Sequence, residues 1–230
     1  RWLMADIITK KPKSEQTKQN IIDTYLKLIP SKCWDKITVK ELCAQANITR
    51  GTFYQYYSDI YDLMEQIENT LLDDVNRFYN AASKPQPASS CSTGKFEDSF
   101  DYAPPQLMTA WFKFCKKNKK EIAVMLDPKH SDVYFMKKLK NILSEHINQM
   151  MDDDGLPDDT LRSYFTKLLI EMHFLAARYW LEEEDEADVL STTDILNLLN
   201  TMRVGANYLH YFQSTRPDFD IKMNIPEDNE

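Results

Sequence analysis

The chain has 230 residues, 43% of them hydrophobic and only 4 glycine, with 28 basic against 36 acidic side chains and a formal net charge of -8. That length buries a sizeable core, as one large domain or as a small domain joined to a larger one. No run reaches the ~18 consecutive apolar residues of a membrane span, and residues 1–13 lack the apolar stretch and small-residue cleavage site of a signal peptide, so a cytoplasmic chain without membrane association is expected.

Cys33, Cys43, Cys91 and Cys115 show no Cys-x-x-Cys spacing and are expected as free thiols. The charge is unevenly spread. Residues 1–57 carry ten Lys or Arg and five Asp or Glu, a net of +5, and the remainder has a net of -13. A basic module on an acidic body is the pattern expected where only the module meets phosphates.

In chain order, the first predicted helix runs from about Ser14 to Ile29, with Ile21, Ile22, Tyr25, Leu26 and Ile29 in one apolar stripe. Pro30 to Lys32 ends it. The second opens at Thr38, where Glu41 three residues on completes the sequence of a capping box, and runs to about Ala46. Asn47 follows where a tight turn needs a positive φ, which Asn tolerates better than most residues. Thr49 caps a short third helix, Arg50 to Tyr57, and Asp59 caps a fourth whose buried side is Ile60, Leu63, Met64, Ile67 and Leu71. From Ala82 to about Pro105 the chain turns to Ser, Pro, Lys and Thr, an extended or flexible connection. Four more helices are predicted: Gln106 to Leu126 with a break near Asn118, Ser131 to Met151, Asp158 to Glu183, and Thr192 to Phe212, the last capped by Ser191 with Asp194. No strand alternation competes with them, and the class is all-α.

Two short helices joined by a tight turn and preceded by a supporting helix make a helix-turn-helix, whose second member enters the major groove. Val39, Leu42, Ile48, Phe53 and Tyr57 are expected to face inward, which leaves Arg50 with Tyr54 and Thr52 with Tyr56 on adjoining outward faces. Arginine reaches guanine O6 and N7; Thr and Gln meet base edges or phosphates, and Tyr hydroxyls suit phosphates. Gly51 removes a side chain where backbone approaches the duplex, and Thr38 and Lys40 open a helix whose first amides attract a phosphate.

The run from Thr38 to Met64 resembles the DNA-binding signature of the TetR/AcrR family. The threonine-capped helix is followed by Ala46-Asn47-Ile48 at the turn, Thr49-Arg50-Gly51-Thr52-Phe53-Tyr54 in the recognition helix, the pair Tyr56-Tyr57, and a long fourth helix. The resemblance implies that Thr38, Lys40, Thr49, Arg50, Thr52, Tyr54 and Tyr56 contact DNA, with Gly51 and Gln55 as weaker candidates. Two positions depart from the pattern. Asn47 replaces the usual turn glycine, and Ile60 stands where the family commonly places a phosphate-touching lysine, which leaves amides near Ser58 and Asp59 to meet that phosphate.

The implied organisation is an N-terminal tail (1–13), a three-helix helix-turn-helix domain (14–58), a connecting fourth helix (59–81), a linker (82–105) and a C-terminal helical-bundle domain for effector binding and dimerisation (106–230). The implied function is transcription regulation: a ligand-responsive repressor that binds a palindromic operator on double-stranded DNA as a homodimer formed through its two C-terminal helices, released by an unknown small-molecule effector. Leu168, Leu169, Met172, Leu175, Ile195, Leu199 and Met202 supply more apolar surface than one stripe requires, as an interface would. Trp111, Phe114, His146 and His173 are the candidates for the ligand site, against plain core packing for the aromatics and an ordinary structural role for the histidines.

No metal site and no cofactor is expected, because His130, His146, His173 and His210 lack ligand spacing. Nor is an enzyme: no nucleophile elbow, phosphate loop, His-Glu-x-x-His or dinucleotide fingerprint occurs. The competing reading is a helical scaffold or protein-interaction module that keeps the fold without specific DNA recognition, and Ile60 lends it weight. The acidic stretch Glu182 to Asp188 reads as a solvated loop.

Overall fold

A computed structural model of the chain describes residues 12–82, 102–130, 132–182, 191–216 and 218. Most of the linker, Cys91 and the acidic run after Glu182 lie outside them. Within the described residues there is no strand, and none of the helices is long and apolar enough to cross a membrane. The helices are α1 (Lys13–Leu28), α2 (Val39–Gln45), α3 (Arg50–Phe53), α4 (Ile60–Ala82), α5 (Gln106–Lys117), α6 (Lys119–Met125), α7 (Val133–Asp153), α8 (Thr160–Glu182) and α9 (Thr192–Thr215). All eight expected helices are present, and the long one from Gln106 is interrupted at Asn118, where Asn118 turns away from helical geometry and hands over to α6. The third helix is shorter than expected. It ends at Phe53, and residues 54–56 continue as turns.

The polypeptide divides into two compact units. One holds the residues up to Arg77 together with Phe114–Lys140; the other holds Phe78–Lys113 with the residues from Asn141 onward. The first has its core in Ile21, Tyr25, Leu26, Leu42, Phe53, Tyr57, Leu63 and Met64, joined by Ile122, Met125, Phe135 and Leu139. Residues 114–140 carry eight lysines against three acids. The basic character of this unit therefore extends past the head in which the sequence concentrates it.

The second unit is built on Trp111, Phe112, Leu143, Met151, Leu169, Phe174, Ala177, Ile195 and Leu199. Buried polar groups fix its helix ends. α7 closes on Gly155 at φ 76°, where a Cβ would be strained, and the Leu156 amide donates back to the Met151 carbonyl at 3.0 Å. Arg162 donates to the Asn148 and Leu156 carbonyls at 2.8 and 3.1 Å, which ties the start of α8 to α7 and to the turn that follows it. Arg203 on α9 forms a two-point pair with Asp154 at 2.7 and 2.6 Å, and its remaining nitrogen donates to the Asn200 side chain and the Ala103 carbonyl. α9 opens on a complete capping box: Ser191 accepts from the Asp194 amide, and the Asp194 carboxylate accepts from the Ser191 amide.

Candidate nucleic-acid interface

The first unit holds the helix-turn-helix by local hydrogen bonds that its sequence dictates. Thr38 Oγ1 accepts from the Glu41 amide at 3.2 Å and starts α2. The Glu41 carboxylate takes Lys32 Nζ at 2.8 Å as its main partner, and that pair, with the Thr38 backbone amide adding to it, holds the carboxyl below its usual range. At the far end of α2, Asn47 adopts φ 53°, the Ile48 amide donates to the Cys43 carbonyl at 3.0 Å and the Asn47 amide to the Ala44 carbonyl at 3.4 Å. This is a left-handed helix stop in which Asn does the work usually given to glycine. Asn20 on α1 reaches the Ala46 carbonyl at 2.9 Å and ties the supporting helix to the turn.

Thr49 then caps α3, accepting from the Thr52 amide at 3.1 Å and sharing a hydrogen bond with the Thr52 hydroxyl at 2.9 Å. Phe53 and Tyr57 are fully buried and pack with ring centroids 5.7 Å apart. Burial pushes the Tyr57 phenol up to about 12, with Asp62 adding to it. Val39 and Ile48 are only half-buried, so the inward face is narrower than expected.

The outward side carries the sequence-nominated residues. Thr38, Lys40, Thr49, Arg50, Gly51, Tyr54 and Gln55 are exposed, Tyr54 to 57%, and Thr52 and Tyr56 are half-buried. A Cβ placed on Gly51 would meet nothing nearer than Thr49 Oγ1 at 3.7 Å, so the protein's own packing does not require glycine there.

At the start of α4 the structure is specific about the departing position. Asp59 caps the helix through the Asp62 amide at 2.8 Å, and Ile60 turns into the core, 5% exposed. The Ser58 amide, expected to be available to a phosphate, instead donates to the Asp62 carboxylate at 2.7 Å and helps hold that carboxyl below its usual range. Sequence reasoning passed over the neighbour of Ile60: Tyr61 is 60% exposed and packs edge-on against Trp34 at 5.4 Å.

The four ligand-site candidates separate. His146 and His173 line one crevice of the second unit with Tyr79, Leu107, Met108, Ile147 and Met150. Trp111 is fully buried beside it, its indole N–H donating to the His173 carbonyl at 3.3 Å and its ring lying against Phe174. Phe114 is fully buried and belongs to the first unit. Of the apolar residues nominated on the last two helices, Leu168, Leu175 and Met202 are exposed, while Leu169, Ile195 and Leu199 are buried within the protomer. The exposed set also includes Leu161, Tyr164, Tyr179, Leu198 and Leu209, and α8 and α9 enclose an open apolar groove of about 300 Å³ between Met172, Leu175, Tyr179, Leu198 and Met202.

No family model matches the chain, and no curated protein matches it either. Solved structures do. A TetR transcriptional regulator from Streptococcus agalactiae 2603V is 19% identical, with 83% of this chain and 94% of that one covered and a TM-score of 0.51. A TetR-family transcriptional regulator from Streptomyces coelicolor is 14% identical over 87% of this chain and 83% of its own, with a TM-score of 0.52. The fatty acid degradation regulator FadR from Bacillus halodurans is 14% identical over 85% and 97%, with a TM-score of 0.55.

Proposed function

We propose that this chain, which has the fold of the TetR-family regulators, is a DNA-binding transcriptional repressor that reads a near-palindromic operator as a homodimer and is released by a small-molecule effector. The observation that carries the reading is the head: two short helices held at a positive-φ asparagine turn, with Arg50, Tyr54 and Gln55 exposed on the side away from Phe53 and Tyr57. Arg50 is the base-reading candidate, and Thr38, Lys40, Thr49, Thr52, Tyr54 and Tyr56 are candidates for phosphate and sugar contacts that set register.

The dimer is supported by the exposed apolar residues of α8 and α9. On α9 the exposed positions Leu198, Met202, Gly205 and Leu209 follow one another at helical spacing. A mid-helix glycine costs about 1 kcal/mol relative to alanine, and a Cβ on Gly205 would meet nothing within 4 Å of its own chain. A second copy of this face would make use of both features, and a two-fold pair would set two recognition helices at the spacing of a palindrome. An effector that prefers one state of the sensing unit lowers operator affinity by the ratio of its affinities for the two states.

Selection from random duplexes is the test. A repressor enriches one palindromic sequence and loses affinity steeply with salt while still discriminating against random duplex. The scaffold reading is favoured by one observation, the burial of Ile60 where a phosphate-contacting lysine is common in the family the head resembles. It predicts no enrichment of any sequence, and that result would overturn the repressor.

A further inference from the structure

Seven residues, Tyr79, Leu107, Met108, His146, Ile147, Met150 and His173, line the crevice of the second unit, and none of them is Asp, Glu, Lys or Arg. His173 is 2% exposed, and its Nδ1 lies 2.7 Å from the Leu169 carbonyl. A carbonyl only accepts, so Nδ1 carries the proton and donates, and Nε2 is left as an acceptor. Burial pushes His173 down to about 4, so this arrangement is uncharged at neutral pH. His146 stacks flat on Tyr79, with centroids 3.9 Å apart and planes 16° from parallel, and burial lowers it as well. The wall therefore carries no fixed charge; its polar groups are two imidazoles and the Tyr79 phenol, and His173 is the one whose tautomer a hydrogen bond fixes.

We propose that this crevice is the sensing site and that its ligand is a small, neutral, mostly apolar molecule bearing a single hydrogen-bond donor, such as a phenol or an alcohol. The proposal rests on the reading of the second unit as the effector unit and names the chemistry that unit recognises. An anion finds an acceptor and no cation here, and an ammonium finds no carboxylate to offset its desolvation. On this proposal a ligand hydroxyl donates to His173 Nε2, while a ligand lacking the donor takes the place of water there without replacing its hydrogen bond, which is the stronger basis of discrimination. The crevice closes around space for about one water molecule. Ligand entry must therefore displace Leu107, Met108 or Met150, and methionine's three rotatable bonds make such repacking cheap. Occupied and empty forms then differ in packing, as an effector that shifts an equilibrium requires.

The experiment is calorimetric titration of the full chain with phenol, toluene, benzoate and benzylamine, repeated on His173→Phe and Met150→Ala. Phenol is expected to bind at least tenfold more tightly than toluene and than either charged analogue, His173→Phe to bring phenol and toluene within about twofold of each other, and Met150→Ala to tighten phenol by opening space. Should His173→Phe fail to fold, the ¹⁵N resonance of His173 Nε2 in the unaltered chain gives the same answer: it moves with phenol and not with toluene. Tighter binding of benzoate or benzylamine, an unmoved Nε2 resonance, or no binding of phenol to either the unaltered chain or Met150→Ala overturns the proposal. Duplex binding is measured in parallel on the same samples. Phenol binding with no bound duplex would refute the repressor and leave the site standing, and duplex binding with no phenol would do the reverse.

Discussion

Arg50 is the exposed cation of the recognition helix. If it reads a base, Arg50→Ala costs about 1 to 3 kcal/mol of operator affinity and relaxes the preference at one position of the site; equal weakening on every sequence, measured by competition binding, assigns it to phosphate instead. Arg203 and Asp154 make a buried two-point ion pair with side chains 5% and 9% exposed. Removing one partner strands a charge, so Arg203→Met should destabilise the fold by about 3 to 5 kcal/mol in urea unfolding, and Arg203→Met with Asp154→Leu should cost less than the sum of the two single changes.

Glu68 is also buried, with Oε1 unpartnered, and its carboxyl is pushed up from 4.5 to about 7 by burial and then by Asp132. The folded state holds that proton where the unfolded state has lost it. Its contribution to stability is therefore complete below about 4.5 and disappears as pH rises through 7. His173 works in the opposite sense, since its value falls from 6.5 to about 4, and its contribution is complete above 6.5 and lost as pH falls through 4. Glu68→Gln is expected to raise the melting temperature by a few degrees at pH 8 relative to the unaltered chain, with the difference vanishing near pH 4.5. An unchanged difference across that range would mean that Glu68 is not protonated in the folded state.

At the scale of elements, the short helices of the head depend on their caps. Thr49 carries the start of a four-residue helix, and Thr49→Ala is expected to cost about 1 kcal/mol, with operator affinity falling further because Thr52 loses its hydroxyl partner. On α9, Gly205→Leu tests the proposed pairing, since a Cβ at this exposed position meets nothing within 4 Å of its own protomer. The substitution improves helix propensity by close to 1 kcal/mol, so the isolated protomer gains stability while dimer dissociation, followed by light scattering on dilution, becomes easier. Retention of the dimer would move the interface off this stripe.

At the scale of the molecule, charge and compact units coincide. The unit that contains the helix-turn-helix also takes in residues 114–140 with their eight lysines, and the acidic excess lies in the other unit. Such segregation favours approach to a polyanion by one unit only.

The all-helical class, the eight helices and the caps at Thr38, Thr49, Asp59 and Ser191 were legible in the sequence because they depend on neighbours within a turn or two: apolar residues three and four apart, a hydroxyl three residues before an amide, an asparagine at a positive φ. The outward set of the head was legible for the same reason, since placing Phe53 and Tyr57 inward decides where Arg50 and Tyr54 go. Only the tertiary structure decided what depends on distant chain. It paired Glu41 with Lys32, turned Ile60 into the core and occupied the Ser58 amide; it assigned residues 114–140 to the unit of the head; and it brought His146 and His173 to one crevice. Those outcomes turn on which surfaces meet across dozens of residues, and a pattern of period 3.6 marks a buried side without naming the surface that covers it.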